Sequence, residues 1–485
     1  MTRAALLPSV ALVTLVALAF HLWLAHALPL VEDEAYYALW ATVPSAGYYD
    51  HPPMIAWWIR AGEAVFGASP LGVRLLSVLG FALATPMAAR IAVLAGRAAG
   101  NAAGDGAGSG PETARRAALY LNATVLILVL GFTATPDAPS TFFWALTGWA
   151  LAEAVAGSRH GGWWLLAGLG AGLGVLSKFT NLFLWVGLAG WLVATRAGRA
   201  ELRRPVVWLA AVLALAVLVP YARWNIAHDG LGLTRQFGRI GQGEAPGWHW
   251  LLAYLGATVA LVSPLILADA LAGVTRSRGP ARLLLWLTAP LVVYMGVHAL
   301  KAQVQANWLV PLFPGIAALA ALGAGNRPAR HVWRSAGVGL ALGLILLGLA
   351  LWPGRPIFPG KNPPNEMKGW APVVADLRQA MAETGARWVA TDSYGLTGTL
   401  SFELSGTPVW AINEAGRYIF RGPLPPALCA APGLLVTLGA PPPEVLARFA
   451  RHDAPREITR RSGAAVLQVL TATPVQGLTP CAVTP

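Results

Sequence analysis

The chain has 485 residues, of which 56% are hydrophobic and only 12% charged, and its mean hydropathy is +0.56. That balance excludes a soluble globular protein and indicates a polytopic membrane protein. The net charge of +13 does not point to nucleic acid, because the arginines sit in short clusters between apolar segments, which is the pattern of membrane topology signals.

A bilayer core of about 30 Å requires about 20 apolar residues per helix. Spans are expected near 6–30, 71–95, 117–131, 138–156, 163–177, 180–195, 206–221, 249–271, 283–300, 308–323 and 336–352. The first is long for a signal-peptide core and no small-residue cleavage site follows it, so it reads as a retained span. Placing the N-terminus in the cytoplasm puts the joints with Arg97, Arg115 and Arg116, with Arg159, with Arg196, Arg199, Arg203 and Arg204, with Arg276, Arg278 and Arg282, and with Arg327, Arg330 and Arg334 on one side. The excess of positive charge on cytoplasmic loops is then satisfied throughout. Residues 31–70, 132–137, 177–180, 222–248, 301–307 and everything beyond 353 are expected on the outer face. "GNAAGDGAGSGPE" (100–112) reads as a flexible cytoplasmic linker.

From Arg355 the Pro/Gly-rich "RPIFPGKNPPNEMKG" leads into a helical pattern at 370–385, the strand-like "RWVATDSYG", a second helix near 396–404, and apolar runs at 408–412, 433–438 and 464–470. The expected organisation is therefore a helical membrane domain over 1–353 and a small extracytoplasmic α/β domain over 354–485. Cys429 and Cys481 both fall in the latter. They suggest neither a zinc cage nor a cysteine nucleophile, and both a disulfide and two free thiols are open.

The outer stretches hold the residues able to do chemistry. Glu32, Asp33 and Glu34 precede "AYYALW", which reads as an interfacial helix. A carboxylate at that boundary is partly desolvated and suits a base or metal ligand, against the plainer reading of a solvated juxtamembrane patch. In "GYYDHPPMIAWW" Asp50 and His51 offer ligands for a divalent cation or a phosphate, although an Asp–His pair in a turn is more often structural. Asp137 in "TPDAPSTFFWAL" opens a helix, where an acid stabilises the first turn by about 1 kcal/mol. The four lysines, Lys178, Lys301, Lys361 and Lys368, all lie on the expected outer side. Lys178 sits between two apolar segments, where an ammonium needs an anionic partner. Lys301 opens "KAQVQANWLVPLFP", whose Gln303, Gln305 and Asn307 add amide donors. Arg223, Arg235 and Arg239 on loop 222–248 are suited to clamping a lipid phosphate, or to binding anionic headgroups. Asn122-Ala-Thr124 matches a glycosylation acceptor but lies inside an apolar span and is discounted.

"DEAYYALW", "GYYDHPPMIAWW", "TPDAPSTFFWAL", "GLGVLSKFTNLFL" and "QANWLVPLFP", in this order over about residues 30–315, resemble the membrane-embedded lipid-linked-sugar transferases of the C type (GT-C), specifically the bacterial relatives of protein O-mannosyltransferases and of the lipid A aminoarabinose transferases. The resemblance implies an all-α polytopic fold of about 11–13 transmembrane helices with a small C-terminal α/β domain capping the active site. It implies inverting transfer of a sugar from a polyprenyl-phosphate donor to an envelope glycolipid, lipid A or a protein at the outer face of a bacterial inner membrane. Partners would be that donor, the acceptor and membrane lipids. By the same resemblance Asp33, with Glu34 beside it, is the acid that activates the acceptor or positions a metal, Asp137 is the second outer acid, and Lys178 and Lys301 face the donor phosphate. Arg235 or Arg239 are further candidates for that phosphate, and Asp50 and His51 are candidate ligands for a divalent metal. Several relatives carry Glu-Lys before the Pro-Pro pair where this chain has Asp50-His51. The rival class is a transporter or flippase of a lipid-linked substrate, which predicts midplane charges and related halves. The sequence displays neither.

Overall fold

A computed structural model of the chain describes residues 7–103, 110–157, 160–238, 247–352 and 363–481. The chain forms two compact units. One comprises Met1–Ala25, His51–Ile55 and Arg74–Leu346, and the other His26–Asp50, Ala56–Val73 and Leu347–Pro485. The expected change at 353–354 lies near this last boundary, whereas segments 26–50 and 56–73 group with the C-terminal residues.

The first unit is helical. Among the described residues six helices are long and apolar enough to cross a membrane: Val10–Ala27, Pro70–Ala98, Pro205–Ala227, Pro280–His298, Asn307–Ala324 and Ala329–Leu351. The protein is a multi-pass membrane protein. Gly162–Ser177 and Phe179–Ala194 are shorter apolar helices, and Trp248–Val262 and Pro264–Thr275 form a pair bent by 97°. The single span expected over 249–271 is thus broken. Pro264 disfavours a helical conformation in the residue before it, and Ser263 takes a φ of 82°. The segment expected as one span over 117–131 is likewise split, into Pro111–Ala123 and Val125–Leu130, by an extended Thr124.

Helix packing in this unit relies on small residues. Helix Pro205–Ala227 buries Val207, Ala210, Ala214, Tyr221 and Asn225 at helical spacing, and its opposite face exposes Trp208, Leu209, Val212, Leu215, Val219 and Ile226, the surface lipid covers. Gly168 and Gly172, four residues apart in Gly162–Ser177, let the two backbones touch: a Cβ on Gly172 would lie 2.7 Å from the Ala214 carbonyl oxygen. Such small-xxx-small seams replace the hydrophobic effect where lipid surrounds the helices.

The second unit contains a six-stranded sheet of β1 (Val389–Thr391), β2 (Val409–Ala411), β3 (Gly433–Leu438), β4 (Phe449–His452), β5 (Arg456–Ser462) and β6 (Ala465–Leu478). The order is β2-β1-β3-β6-β4, with β5 also on β6. β1 pairs in parallel with β2 and β3, and β6 is antiparallel to β3, β4 and β5. Helix Trp370–Thr384 buries Trp370, Val373, Val374, Leu377 and Ala380, one apolar stripe. The sequence anticipated β1, β2, β3 and β6 but not β4 or β5. β5 reads "REITRRS", and only Ile458 and Arg460 of it are buried. A disulfide joins Cys429 to Cys481, 52 positions apart, which closes one of the two alternatives the sequence left open.

Within this unit helix Tyr394–Glu403 lies directly on helix Glu32–Ala41. A Cβ on Gly398 would fall 2.6 Å from the Tyr36 backbone nitrogen and 2.8 Å from its Cα, where no flexible side chain can yield. Gly398→Ala is expected to destabilise the protein by about 1–3 kcal/mol, read as a lowered unfolding temperature in detergent or nanodiscs. An unchanged temperature would show that these helices separate without cost.

Candidate functional site

Helix Glu32–Ala41 carries Glu32, Asp33 and Glu34 in its first turn, where the partial positive charge of the helix N-terminus stabilises acids. Their environments differ. Glu34 is fully buried, and its carboxylate accepts a hydrogen bond from the Val31 backbone N–H at 3.1 Å, closing the helix start. Glu32 donates its own backbone N–H to Glu366 at 3.1 Å. Asp33 is half-buried and accepts the Tyr394 hydroxyl at 3.2 Å.

Asp50 is buried and occupied. The Tyr36 hydroxyl donates to its Oδ2 at 3.1 Å, and Arg417 Nη1 forms an ion pair with the same oxygen. Arg417 Nε donates to Glu414 at 3.0 Å, while its guanidinium stacks on Tyr394 at 4.6 Å and on Tyr49 at 5.7 Å from the ring centroids. Burial alone would lower the Arg417 pKa, but Asp50 and Glu414 reverse that and hold it above the ordinary arginine value. Burial, with Asp50 adding to it, pushes the Tyr36 phenol well up. Both therefore act as fixed donors at neutral pH. Glu414 has a φ of 47°, a left-handed conformation that costs a non-glycine residue about 1–2 kcal/mol and persists only where neighbours fix it.

In the membrane unit three motifs meet. Lys178 caps helix Gly162–Ser177 in an extended conformation and so interrupts two apolar helices. Its ammonium pairs with Asp137 Oδ1 at 2.6 Å, the two side chains being 12% and 8% exposed. Asn307 donates to the other Asp137 oxygen at 2.6 Å, and Asn181 donates to Ser140 at 2.6 Å. "TPDAPST", "LSKFTN" and "QANW" are thus fastened around one carboxylate. Lys178 has the anionic partner its position demanded, and Asp137 is that partner.

Of the remaining cations, Lys301 is exposed, and its ammonium has no carboxylate partner among the described residues. Arg235 is half-buried on the short helix Leu231–Phe237, and Arg239 lies outside the described residues. Asp50 and His51 are consecutive but fall in different units. Among the described residues no group of three or more His, Cys, Asp or Glu side chains could hold a metal ion. Asp50, expected as a ligand, has a guanidinium instead, so these residues do not fit an ion there and no step below uses one.

Tyr36, Tyr394 and Arg417 were not anticipated as site residues. Tyr36 reads as one of several interfacial aromatics in "AYYALW", and Tyr394 and Arg417 lie 361 and 367 positions from the acids they contact. The one local signal is Glu414 three residues before Arg417, which fits a surface ion pair equally well.

The sequence profile of the family described as "Dolichyl-phosphate-mannose-protein mannosyltransferase" matches residues 50–224. The lipid A galacturonosyltransferase RgtD of Rhizobium johnstonii is 29% identical over 80% of this chain and 82% of its own. The undecaprenyl phosphate-alpha-4-amino-4-deoxy-L-arabinose arabinosyl transferase of Pseudomonas aeruginosa is 30% identical over 62% of this chain, which spans about half (55%) of that relative. In fold, the crystal structure of ArnT from Cupriavidus metallidurans bound to undecaprenyl phosphate superposes with a TM-score of 0.67, at 16% identity, over 98% of this chain and 99% of that one. Fold and likenesses together define a multi-pass membrane glycosyltransferase. Its fold is that of the C-type (GT-C) transferases, and in sequence the chain is similar to relatives named as glycosyltransferases.

The Asp137–Lys178 pair is almost fully withdrawn from water, and removing one partner of such a pair leaves an uncompensated charge. Asp137→Asn and Lys178→Met are each expected to cost about 3–5 kcal/mol, and the double variant markedly less than their sum. Thermal unfolding of the four proteins measures this coupling. Additive losses would show that the pair contributes nothing as a pair.

Proposed function

We propose that this glycosyltransferase moves a sugar from a polyprenyl-phosphate donor onto lipid A at the outer face of the bacterial inner membrane, with Asp33 as the base. One observation carries the assignment of the base. Glu34 is spent on a backbone N–H, Asp50 on Arg417 and Asp137 on Lys178, whereas Asp33 is half-exposed with a single phenol donor. It keeps lone pairs for an incoming hydroxyl. A general base must be within hydrogen-bond reach of its proton and in the ionised state, and each of the other three acids is already engaged with a partner inside the fold.

The acceptor hydroxyl loses its proton to Asp33 as its oxygen bonds to the anomeric carbon from the face opposite the phosphate. The bond from that carbon to the phosphate oxygen breaks, and its electron pair leaves with polyprenyl phosphate. The anomeric centre inverts. The charge that develops on the phosphate calls for cations that are not already neutralised. Lys301 meets that condition better than Lys178, whose ammonium is bound to Asp137. In this reading Asp137 and Lys178 hold the membrane unit in shape and do not themselves meet the phosphate.

The choice of lipid A over protein as acceptor is supported by the relative named as a lipid A galacturonosyltransferase, which the chain matches over most of its length. The protein acceptor implied by the mannosyltransferase family rests on a match to residues 50–224. An outer location for the C-terminal residues is supported by the Cys429–Cys481 disulfide, since such bonds persist in oxidising compartments.

The test uses purified protein in lipid with lipid A and a panel of polyprenyl-phosphate sugars including galacturonate and aminoarabinose donors, scoring released polyprenyl phosphate and glycosylated lipid A. Asp33→Asn is expected to lower kcat by about 10²–10⁴-fold without unfolding the protein. Wild-type turnover by Asp33→Asn would remove this residue from the mechanism. Release of polyprenyl phosphate with no lipid A product would overturn the acceptor. Lys301→Ala is expected to raise the donor KM or lower kcat by about tenfold, and no change in either would free it from the phosphate.

A further inference from the structure

Arg417 makes more specific contacts than an ordinary surface arginine. Its side chain is 11% exposed, and that of its partner Asp50 is 9% exposed. One edge of the guanidinium bonds Asp50, Nε bonds Glu414, and the planar face lies on Tyr394. A guanidinium used at both its edges and its face is immobilised in a way an ammonium is not. The ring it stacks on is the one whose hydroxyl reaches Asp33. Asp50, Arg417, Tyr394 and Asp33 therefore form one continuous chain of contacts, with an acid at each end. Glu414, which completes the arginine's coordination, is held in a left-handed conformation. Such left-handed residues persist only where the surrounding structure fixes them, and they cluster at functional sites.

We propose that Arg417 is a positioning residue of the transferase: it fixes the Tyr394 ring, and through the Tyr394 hydroxyl it fixes Asp33, while supplying at Asp50 the positive charge that a divalent ion would otherwise bring. This rests on the reading of Asp33 as the base. Arg417 itself touches neither sugar nor phosphate. Its effect is expected on kcat, because misplacing a catalytic group by about 1 Å costs about 10²-fold in rate, and not on donor binding. The cation at Asp50 is then part of the chain, and turnover does not require an added metal.

The experiment uses full-length protein in nanodiscs with a donor and acceptor pair that wild type turns over. It compares Asp33→Asn, Arg417→Lys, Arg417→Gln, Tyr394→Phe and the Arg417→Gln/Tyr394→Phe double variant, with kcat taken per folded molecule and each protein assayed with and without EDTA. Arg417→Gln is expected to lose about 10²-fold in kcat with donor KM changed less than threefold. Arg417→Lys restores charge at Asp50 but not the planar face on Tyr394, so it recovers only part of that loss. The double variant is expected to be no slower than Arg417→Gln alone, because both act along one path.

Normal kcat per folded molecule in Arg417→Gln, with only a lowered unfolding temperature, would make the residue structural and overturn the proposal. Multiplying losses in the double variant would overturn the path through Tyr394. Loss of wild-type turnover in EDTA, restored by a divalent cation, would overturn Arg417 as the cation at Asp50. If Asp33→Asn turns over normally, the reading of Asp33 fails first, whatever Arg417 does.

Discussion

Moving an ionised side chain out of water costs several kcal/mol unless an opposite charge or a hydrogen-bond donor meets it, and the placement of acids in this protein follows from that cost. In a chain with only 12% charged residues, several buried carboxylates are met by cations and hydrogen-bond donors from distant parts of the sequence. Asp137 is matched by Lys178 and Asn307, and Asp50 by Arg417 and Tyr36. Asp269, also buried, gathers Tyr120, Arg327, His331 and Ser335. Asp33, by contrast, is half-buried and accepts the Tyr394 hydroxyl.

The membrane unit solves a second problem, the lack of a hydrophobic driving force between helices in lipid, by close backbone approach at small residues. Gly168 and Gly172 against Ala210 and Ala214 show how the contact works. The same device appears in the second unit, where Gly398 seats helix Tyr394–Glu403 on helix Glu32–Ala41. Bringing these two backbones together also brings Tyr394 to Asp33. Packing of the α/β unit and delivery of a hydrogen bond to the proposed base are therefore one structural event.

Much of this was legible in sequence because membrane burial writes itself as local composition. An expected span corresponds to a helix in each case from Val10–Ala27 to Ala329–Leu351, and departures occur where one residue breaks the helix, as at Ser263 before Pro264 and at Thr124. Within the α/β unit the apolar strands β1, β2, β3 and β6 were visible by their runs. The arginine-rich β5 was not, because a strand on one side of β6 can carry charges outward and still complete its ladder.

The sequence by itself determined that the chain crosses a membrane many times, that it carries a small α/β segment, that its ordered motifs resemble the C-type transferases, and that acids and lysines collect in particular loops. These follow from properties local to short windows: hydropathy, charge and ordered motifs. Only the tertiary structure decided that Cys429 meets Cys481, that Asp137 is the counter-ion of Lys178, and that Asp50 faces a guanidinium from residue 417. Those outcomes depend on side chains separated by 41 to 367 positions coming within a few ångströms. No window of sequence contains both partners, and the energy of a pair exists only once the fold has withdrawn both from water.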